Sequence, residues 1–120
     1  FDEALRLADR IAIMKDGIIE QLDTPDNIVL NPATEYVKKF TQDVPREKVL
    51  KIESIMDLPN SKSSPSIKID KNEIIETVAE LILNSKDILT VIDPNNNEIV
   101  GSLDPSKVIK VLFGSSKNNK

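Results

Sequence analysis

The fold is decided by the stretch ILTVIDPNNNEIVGSL, residues 88–103. It contains two apolar runs rich in Ile and Val, 88–92 and 98–103, separated by a segment of Asp, Pro and Asn. Ile and Val favour strands, whereas Pro, Asp and Asn favour turns. The stretch therefore predicts a β-hairpin with strands over 88–92 and 98–103.

A strand and a helix are predicted before this hairpin. A short strand covers 66–69, and Asp70 and Glu73 then have the spacing of a capping box. The apolar face of the helix that follows consists of Ile74, Ile75, Val78, Ala79 and Ile82. Further upstream, a leading helix is predicted over 46–56 and a flexible loop over 60–65.

A second helix is predicted after the hairpin. Asp104 is placed to cap it, Pro105 occupies its first position, and Gly114 stands where a left-handed residue ends a helix. Its apolar residues are Val108, Ile109, Val111 and Leu112. The order from 66 onward is therefore strand, helix, hairpin, helix.

The first forty residues predict a separate small unit. A helix over 2–10 is followed by a hairpin, 11–14 and 18–22, whose turn contains Asp16-Gly17, because a glycine after Asp supplies positive φ. Two helices of about two turns are expected to start at Thr24-Pro25 and Asn31-Pro32, each with a polar cap and a proline at the first position. A polar connector over 41–45 places the boundary near Asp43, which gives two domains, 1–43 and 44–120, of class α+β.

Composition limits the chemistry of the chain. It has 120 residues, no His, no Cys and three glycines, too far apart in sequence to form one phosphate-binding loop. No apolar run approaches the roughly 20 residues of a membrane span. With a net charge of -4 and no basic stripe, nucleic-acid binding is not expected. We expect no catalysis by this chain alone, no signal peptide, and a reducing compartment.

The N-terminal motifs are LADRIAIMKDG at 7–17, TP at 24–25 and NPATEYV at 31–37. They resemble the segment that closes the ATP-binding subunit of ABC importers, especially the glycine betaine/proline class. The resemblance implies that ATP and Mg²⁺ bind upstream, in the parent subunit, and that this chain holds no cofactor of its own. It also implies a cytoplasmic location, peripheral on the inner face of the membrane, with the ATPase domain and the transporter's membrane subunit as partners.

The same resemblance implies that the first unit has lost its natural cover. Ile11, Ile13, Ile18 and Leu22 would pack on the main sheet of the ATPase, and the helical stripe of Tyr36, Val37 and Phe40 would pack on the rest of that subunit. We therefore expect the first unit to be partly disordered or buried against a second copy.

Residues 51–114 resemble a single CBS module, a β-α-β-β-α unit. The resemblance lies in Ile55-Met56, Val91-Ile92-Asp93 and Val100-Gly101-Ser102-Leu103. CBS modules work in pairs that hold adenosine-containing ligands between them, which implies a homodimer and a site for an adenosyl ligand. The implied ligand positions are Ile92, Gly101, Asp104 and Lys107. The expected dimer interface consists of Ile74, Val78, Ile82, Val108 and Leu112.

The ligand motif departs from the family at two positions. Nucleotide-binding members have Thr or Ser and then Asp where this chain has Asp104 and Lys107. A carboxylate repels phosphate, although the amides of the helix N-terminus and Lys107 partly offset the repulsion. A helix-capping role fully explains Asp104 and is favoured over a ligand role.

Three functions follow from these motifs. The first is a non-catalytic regulatory and dimerising region of the ATP-binding subunit of an osmoprotectant importer, for glycine betaine or L-proline. The second is a module that senses adenine nucleotides or cyclic dinucleotides. The third is a structural clamp that holds two ATPase subunits together without sensing.

Overall fold

The computed structural model describes residues 9–113, and they form two compact units that divide between Leu50 and Lys51. The first unit contains strands β1 (Ile11–Lys15) and β2 (Ile18–Asp23), followed by helices α1 (Pro25–Leu30) and α2 (Glu35–Thr41). A 3-10 turn, Arg46–Lys48, ends this unit. The predicted helix over 2–10 lies outside the described residues, apart from its last two.

The predicted hairpin is confirmed. Strands β1 and β2 are antiparallel, and Lys15 pairs with Ile18 across the turn. Asp16 and Gly17 both have positive φ, 53° and 79°, as the favoured two-residue hairpin turn requires. A register shift between Ile13 and Met14 adds a bulge. On the inner face of the hairpin, Ile13 packs with Ile28 of α1 and Val37 of α2 to form a small core.

One of the two predicted helix caps is right and one is wrong. The side-chain oxygen of Thr24 accepts from the Asn27 amide at 3.3 Å, as expected for α1. Asn31 instead ends α1, because its amide donates to the Asn27 carbonyl at 2.8 Å. The cap of α2 is Thr34, whose hydroxyl oxygen accepts from the Val37 amide at 3.2 Å. An Asn-Pro pair therefore closes one helix here and does not open the next.

The leading helix predicted over 46–56 is wrong. The chain forms the 3-10 turn at Arg46–Lys48 and then a separate short helix, α3 (Ile52–Ile55). Between them Lys51 is extended, with φ -86° and ψ 155°, and it pairs with Ile74. The amides of Ile52 and Glu53 donate to the carbonyls of Glu73 and Lys71, both at 2.9 Å. These contacts, distant in sequence, replace the helical bonds that periodicity predicts.

The unit boundary falls later than Asp43, where the sequence placed it. The Arg46 guanidinium donates to the Val29 carbonyl at 3.5 Å, which ties the residues after the connector to the first unit. The assignment of the two pieces as functional domains stays a prediction.

The second unit is built on a three-stranded sheet. Its strands are β3 (Ser64–Asp70), β4 (Leu89–Asp93) and β5 (Glu98–Leu103), in the order β3-β4-β5. Helix α4 (Ile75–Asn84) connects the parallel strands β3 and β4, β4 and β5 form the predicted antiparallel hairpin, and α5 (Pro105–Phe113) follows. The mixed α+β class and the order strand, helix, hairpin, helix are confirmed. The CBS arrangement itself stays a prediction.

The cap of α5 is confirmed, but that of α4 is wrong. Asp104 Oδ1 accepts from the Ser106 amide at 3.0 Å and from the Ser106 hydroxyl at 2.9 Å. Helix α4 starts after Ile74 without a side-chain cap, because Asp70 Oδ1 instead accepts from the Asn72 amide at 2.7 Å, within its own turn. Strand β3 also begins at Ser64, within the predicted loop. Gly114 lies outside the described residues.

The core of the second unit draws on every strand and both long helices. Its buried apolar residues are Ile52, Ile55, Ile69, Ile75, Ile82, Leu89, Val91, Leu103 and Val108. Two residues expected at a dimer interface, Ile82 and Val108, are therefore 0% and 2% exposed within one chain, so neither side chain is available to a partner. Ile74, Val78 and Leu112 are half-buried.

Candidate functional site

The site begins with a backbone segment that runs beside β5. We call residues 57–61 the strap. The Asp57 amide donates to the Ser102 carbonyl at 2.8 Å, and the Ser102 amide donates to the Asp57 carbonyl at 3.0 Å. The Ser102 hydroxyl donates to the Leu58 carbonyl at 2.7 Å. The strap therefore starts as a short addition to the outer edge of β5.

Gly101 makes this close approach possible. A Cβ atom at this position would lie 2.5 Å from Met56 Sδ and 2.7 Å from the Asp57 carbonyl oxygen. Contacts this short do not occur between real Cβ atoms and their neighbours, and the carbonyl belongs to the backbone. A glycine is required here by space, not by φ. The structure thus gives one of the predicted site residues a definite role in positioning the strap.

A groove of about 610 Å³ lies between the strap and the end of the sheet. The strap, residues 57–61, forms one wall, and Ile88, Ser102 and Asp104 form the other. Ile88 precedes β4, whereas Ser102 and Asp104 lie where β5 passes into α5. The groove combines apolar surface with two carboxylates and several hydroxyl and amide groups.

The electrostatics of the groove are dominated by carboxylates. The Ser106 amide, which donates to Asp104, holds the pKa of that carboxyl below its usual value, so Asp104 carries its negative charge at neutral pH. The Lys107 ammonium lies 2.8 Å from Asp57 Oδ1 and neutralises the second carboxylate. None of the described residues that line the groove carries a positive charge, and this disfavours phosphate.

The four predicted ligand positions are only partly brought together. Asp104 lines the groove, Lys107 reaches its rim through Asp57, and Gly101 lies beneath the strap. Ile92 lies further along β4, where it pairs with Ile99, and does not line the groove. The predicted adenosyl ligand stays a prediction.

Sequence reasoning missed Asp57 and the strap. Asp57 follows directly on Ile55-Met56, and that adjacency is the one signal that points to it. Ser102, which forms hydrogen bonds with both Asp57 and Leu58, lies 44 residues after Leu58 in the sequence. These hydrogen bonds, and the groove wall that they create, therefore cannot be predicted from neighbouring residues. Across residues 9–113 no group of three or more metal-ligating side chains is found, and no helix is both long and apolar enough to cross a bilayer.

Comparison with known proteins places the chain in a family, although no family model matches it. It is 63% identical over 117 residues, 98% of its length, to the trimethylamine N-oxide transport system ATP-binding protein TmoW of Pelagibacter ubique, and covers 34% of that protein. It is 39% identical over 97% of its length to TmoW of Ruegeria pomeroyi, covering 33%. It is 32% identical over 92% of its length to the glycine betaine/carnitine transport ATP-binding protein GbuA of Listeria monocytogenes, covering 26%.

The chain spans about a third of the length of the two TmoW relatives. It belongs to the ATP-binding subunits of ABC transporters. Its relatives include ATP-binding proteins of glycine betaine, trimethylamine N-oxide and choline transport, which confirms the resemblance seen in residues 7–37.

Proposed function

We propose that this chain is the regulatory and dimerising part of the ATP-binding subunit of an importer for methylated amines, such as trimethylamine N-oxide or glycine betaine. One observation carries the proposal: the 63% identity to a trimethylamine N-oxide transport ATP-binding protein extends over 98% of the chain and so includes both units. The second unit is therefore part of the same polypeptide as the ATP-binding machinery in that relative.

The chain contributes no catalytic group in this proposal. Its only glycines are Gly17, Gly101 and Gly114, so ATP and Mg²⁺ bind to other parts of the subunit. The subunit works on the cytoplasmic face of the membrane, attached to the membrane-spanning subunit of the transporter. The second unit acts on transport through its contacts, by favouring one arrangement of two ATP-binding subunits over another.

The surface of the second unit supports pairing with a second copy. Ile74, which precedes α4, lies at helical spacing on one stripe with Val78 and Leu81 of that helix, and Leu81 is 43% exposed. On α5, Ile109 and Leu112 form a similar stripe, and Ile109 is 47% exposed. Ile74, Val78 and Leu112 were expected at the interface, and in this proposal Leu81 and Ile109 replace the buried Ile82 and Val108.

Pairing is tested by sedimentation of the full-length subunit. Leu81→Lys should convert dimers to monomers, because it places a charge in the apolar stripe. Leu83→Lys is the matched control, since Leu83 lies on the other flank of the same helix and is 64% exposed. Equal sedimentation of the two variants and the wild type would show that this stripe is not the interface.

The regulatory role is tested in proteoliposomes that contain the full-length subunit and its membrane partner. Removal of residues 51–120 should preserve ATP-driven uptake of trimethylamine N-oxide or glycine betaine but change its dependence on salt concentration. An unchanged salt response would leave the second unit as a structural clamp. Absence of uptake of any methylated amine by the intact complex would refute the transport assignment itself.

A further inference from the structure

The strap is attached to the second unit by few contacts. At its start Asp57 and Leu58 are bonded to Ser102, as described above. At its end a turn brings the Ser63 amide to the Asn60 carbonyl at 3.0 Å, and the Thr90 hydroxyl lies 3.1 Å from the Ser63 hydroxyl. Between these points the side chains face solvent, and Leu58 is 84% exposed.

A side-chain contact links the strap to helix α5. The Lys107 ammonium on α5 and Asp57 Oδ1 form an ion pair at 2.8 Å, although the residues are 50 apart in sequence. The two side chains are 37% and 60% exposed, so water screens the pair and it contributes modestly. Asp104, at the start of α5, is the other carboxylate on this side of the groove.

We infer that the Lys107–Asp57 ion pair is a latch that holds the strap closed along β5 and so sets how often the groove opens. Because Gly101 lets the strap lie directly on the strand, the start of the strap is held there by two backbone hydrogen bonds, one hydroxyl bond and this pair. Breaking so few surface bonds needs only local opening, not unfolding of the sheet.

The latch changes the role of Lys107. The resemblance to a CBS module implies a ligand contact for Lys107, whereas the geometry makes it a positioning residue that acts through Asp57. An anion that entered the groove would have to take Lys107 from Asp57, and the strap would then be released. The inference concerns the second unit alone and does not rest on the transport assignment.

The test is amide hydrogen exchange, followed by mass spectrometry, on the full-length protein. Lys107→Met keeps the aliphatic stem and removes the charge, and it should speed exchange in peptides that contain residues 57–61 and 102 by about two- to five-fold. Asp57→Asn should have the same effect. Exchange in the strands β3 and β4 should not change.

Two further variants make the result decisive. Lys71→Met removes a comparable exposed cation, which lies 3.4 Å from Asp93 Oδ2, and should leave the strap at its wild-type rate. The charge-reversed double variant, Asp57→Lys with Lys107→Asp, should return the rate to within about two-fold of wild type. Unchanged exchange in Lys107→Met, faster exchange throughout the second unit, or no recovery in the double variant would each overturn the latch.

Discussion

The two units of this chain bury their apolar residues to different extents. In the second, residues from β3, β4, β5, α4 and α5 meet in one interior, so one face of the sheet and one face of each long helix are buried, while Leu81 and Ile109 stay exposed on the outer side of the helices. In the first, one face of the hairpin packs on α1 and α2, while Met14, Ile19 and Leu22 on the other face are 50–53% exposed. The same apolar alternation therefore gives a self-contained core in one unit and an uncovered sheet face in the other.

The largest expected effect comes from removing one core residue in each unit. Ile82 and Ile28 are both 0% exposed, and replacement of either by Ala should reduce the free energy of unfolding by about 3 kcal/mol. Tyr36 is the only tyrosine and lies in the first unit, so its fluorescence follows that unit, whereas circular dichroism follows both. In urea, Ile28→Ala should shift the tyrosine transition, and Ile82→Ala should leave it unchanged. If both variants shifted the tyrosine transition equally, the two units would unfold as one cooperative structure and would not differ in the way described.

A glycine in each unit gives the next largest effect. Gly101→Ala should cost about 2 kcal/mol, because the new Cβ would overlap the Asp57 carbonyl oxygen. Gly17→Ala should cost about 1 kcal/mol, because its φ of 79° strains an L-residue although nothing lies within 4 Å. Asn tolerates positive φ, so Gly17→Asn should recover most of the loss, whereas Gly101→Asn should be worse than Gly101→Ala. The urea midpoints of the four variants measure these differences in stability. If Asn recovered the stability at both positions, lack of space would not be the reason for a glycine at position 101.

Helix caps should have smaller effects, of similar size in the two units. Thr34→Ala removes the acceptor for the Val37 amide, and Asp104→Ala removes the acceptor for the Ser106 amide. Each should cost about 1 kcal/mol, measured by thermal unfolding. Asn31→Ala is the control, because Asn31 does not cap α2, and it should cost less than Thr34→Ala. A larger loss of stability in Asn31→Ala than in Thr34→Ala would mean that Asn31 caps α2, as the sequence predicts.

Lowering the pH should have the smallest effect on the stability of the two units. The Asn27 side chain, above all, lowers the pKa of Asp23 in the first unit, and the Ser106 amide lowers that of Asp104 in the second. A carboxyl whose pKa is lower in the folded state stabilises the protein above its unfolded pKa of about 3.9. That stabilisation is lost as the pH falls below about 4, toward the folded pKa.

The acid effect can be assigned to each unit by an isosteric change. Asn still caps a helix but does not titrate, so Asp104→Asn should flatten the pH dependence of the second unit below about pH 4 and leave that of the first unchanged. Melting temperatures measured across this range test the assignment. An unaltered acid response in Asp104→Asn would mean that other carboxylates dominate.

Features set by neighbouring residues could be predicted from the sequence. The turn at Asp16-Gly17, the cap at Thr24 and the cap at Asp104 each depend on residues within three positions, and the structure has all three. The order of strands and helices in the second unit follows from the same kind of local signal. These features hold because local preference and the final packing agree.

Features set by distant residues could not be predicted. The helix over 46–56 is interrupted because Lys51 pairs with Ile74, which no periodicity reveals. A local signal can also mislead where two local hydrogen bonds compete: Asp70 has the spacing of a cap but accepts from the Asn72 amide within its own turn. The groove shows the same limit, because Asp104 was predicted from its motif, whereas Asp57 enters the site only through bonds to Ser102 and Lys107.

The strand edges of the second unit limit how copies of it can join. An open edge presents unpaired amides and carbonyls to any extended chain and invites sheet-to-sheet growth. The pairing of Asp57 with Ser102 occupies part of the outer side of β5, and the opposite edge strand, β3, carries Pro65, which has no amide hydrogen to offer. Lateral polymerisation into fibrous aggregates is thereby discouraged at both margins.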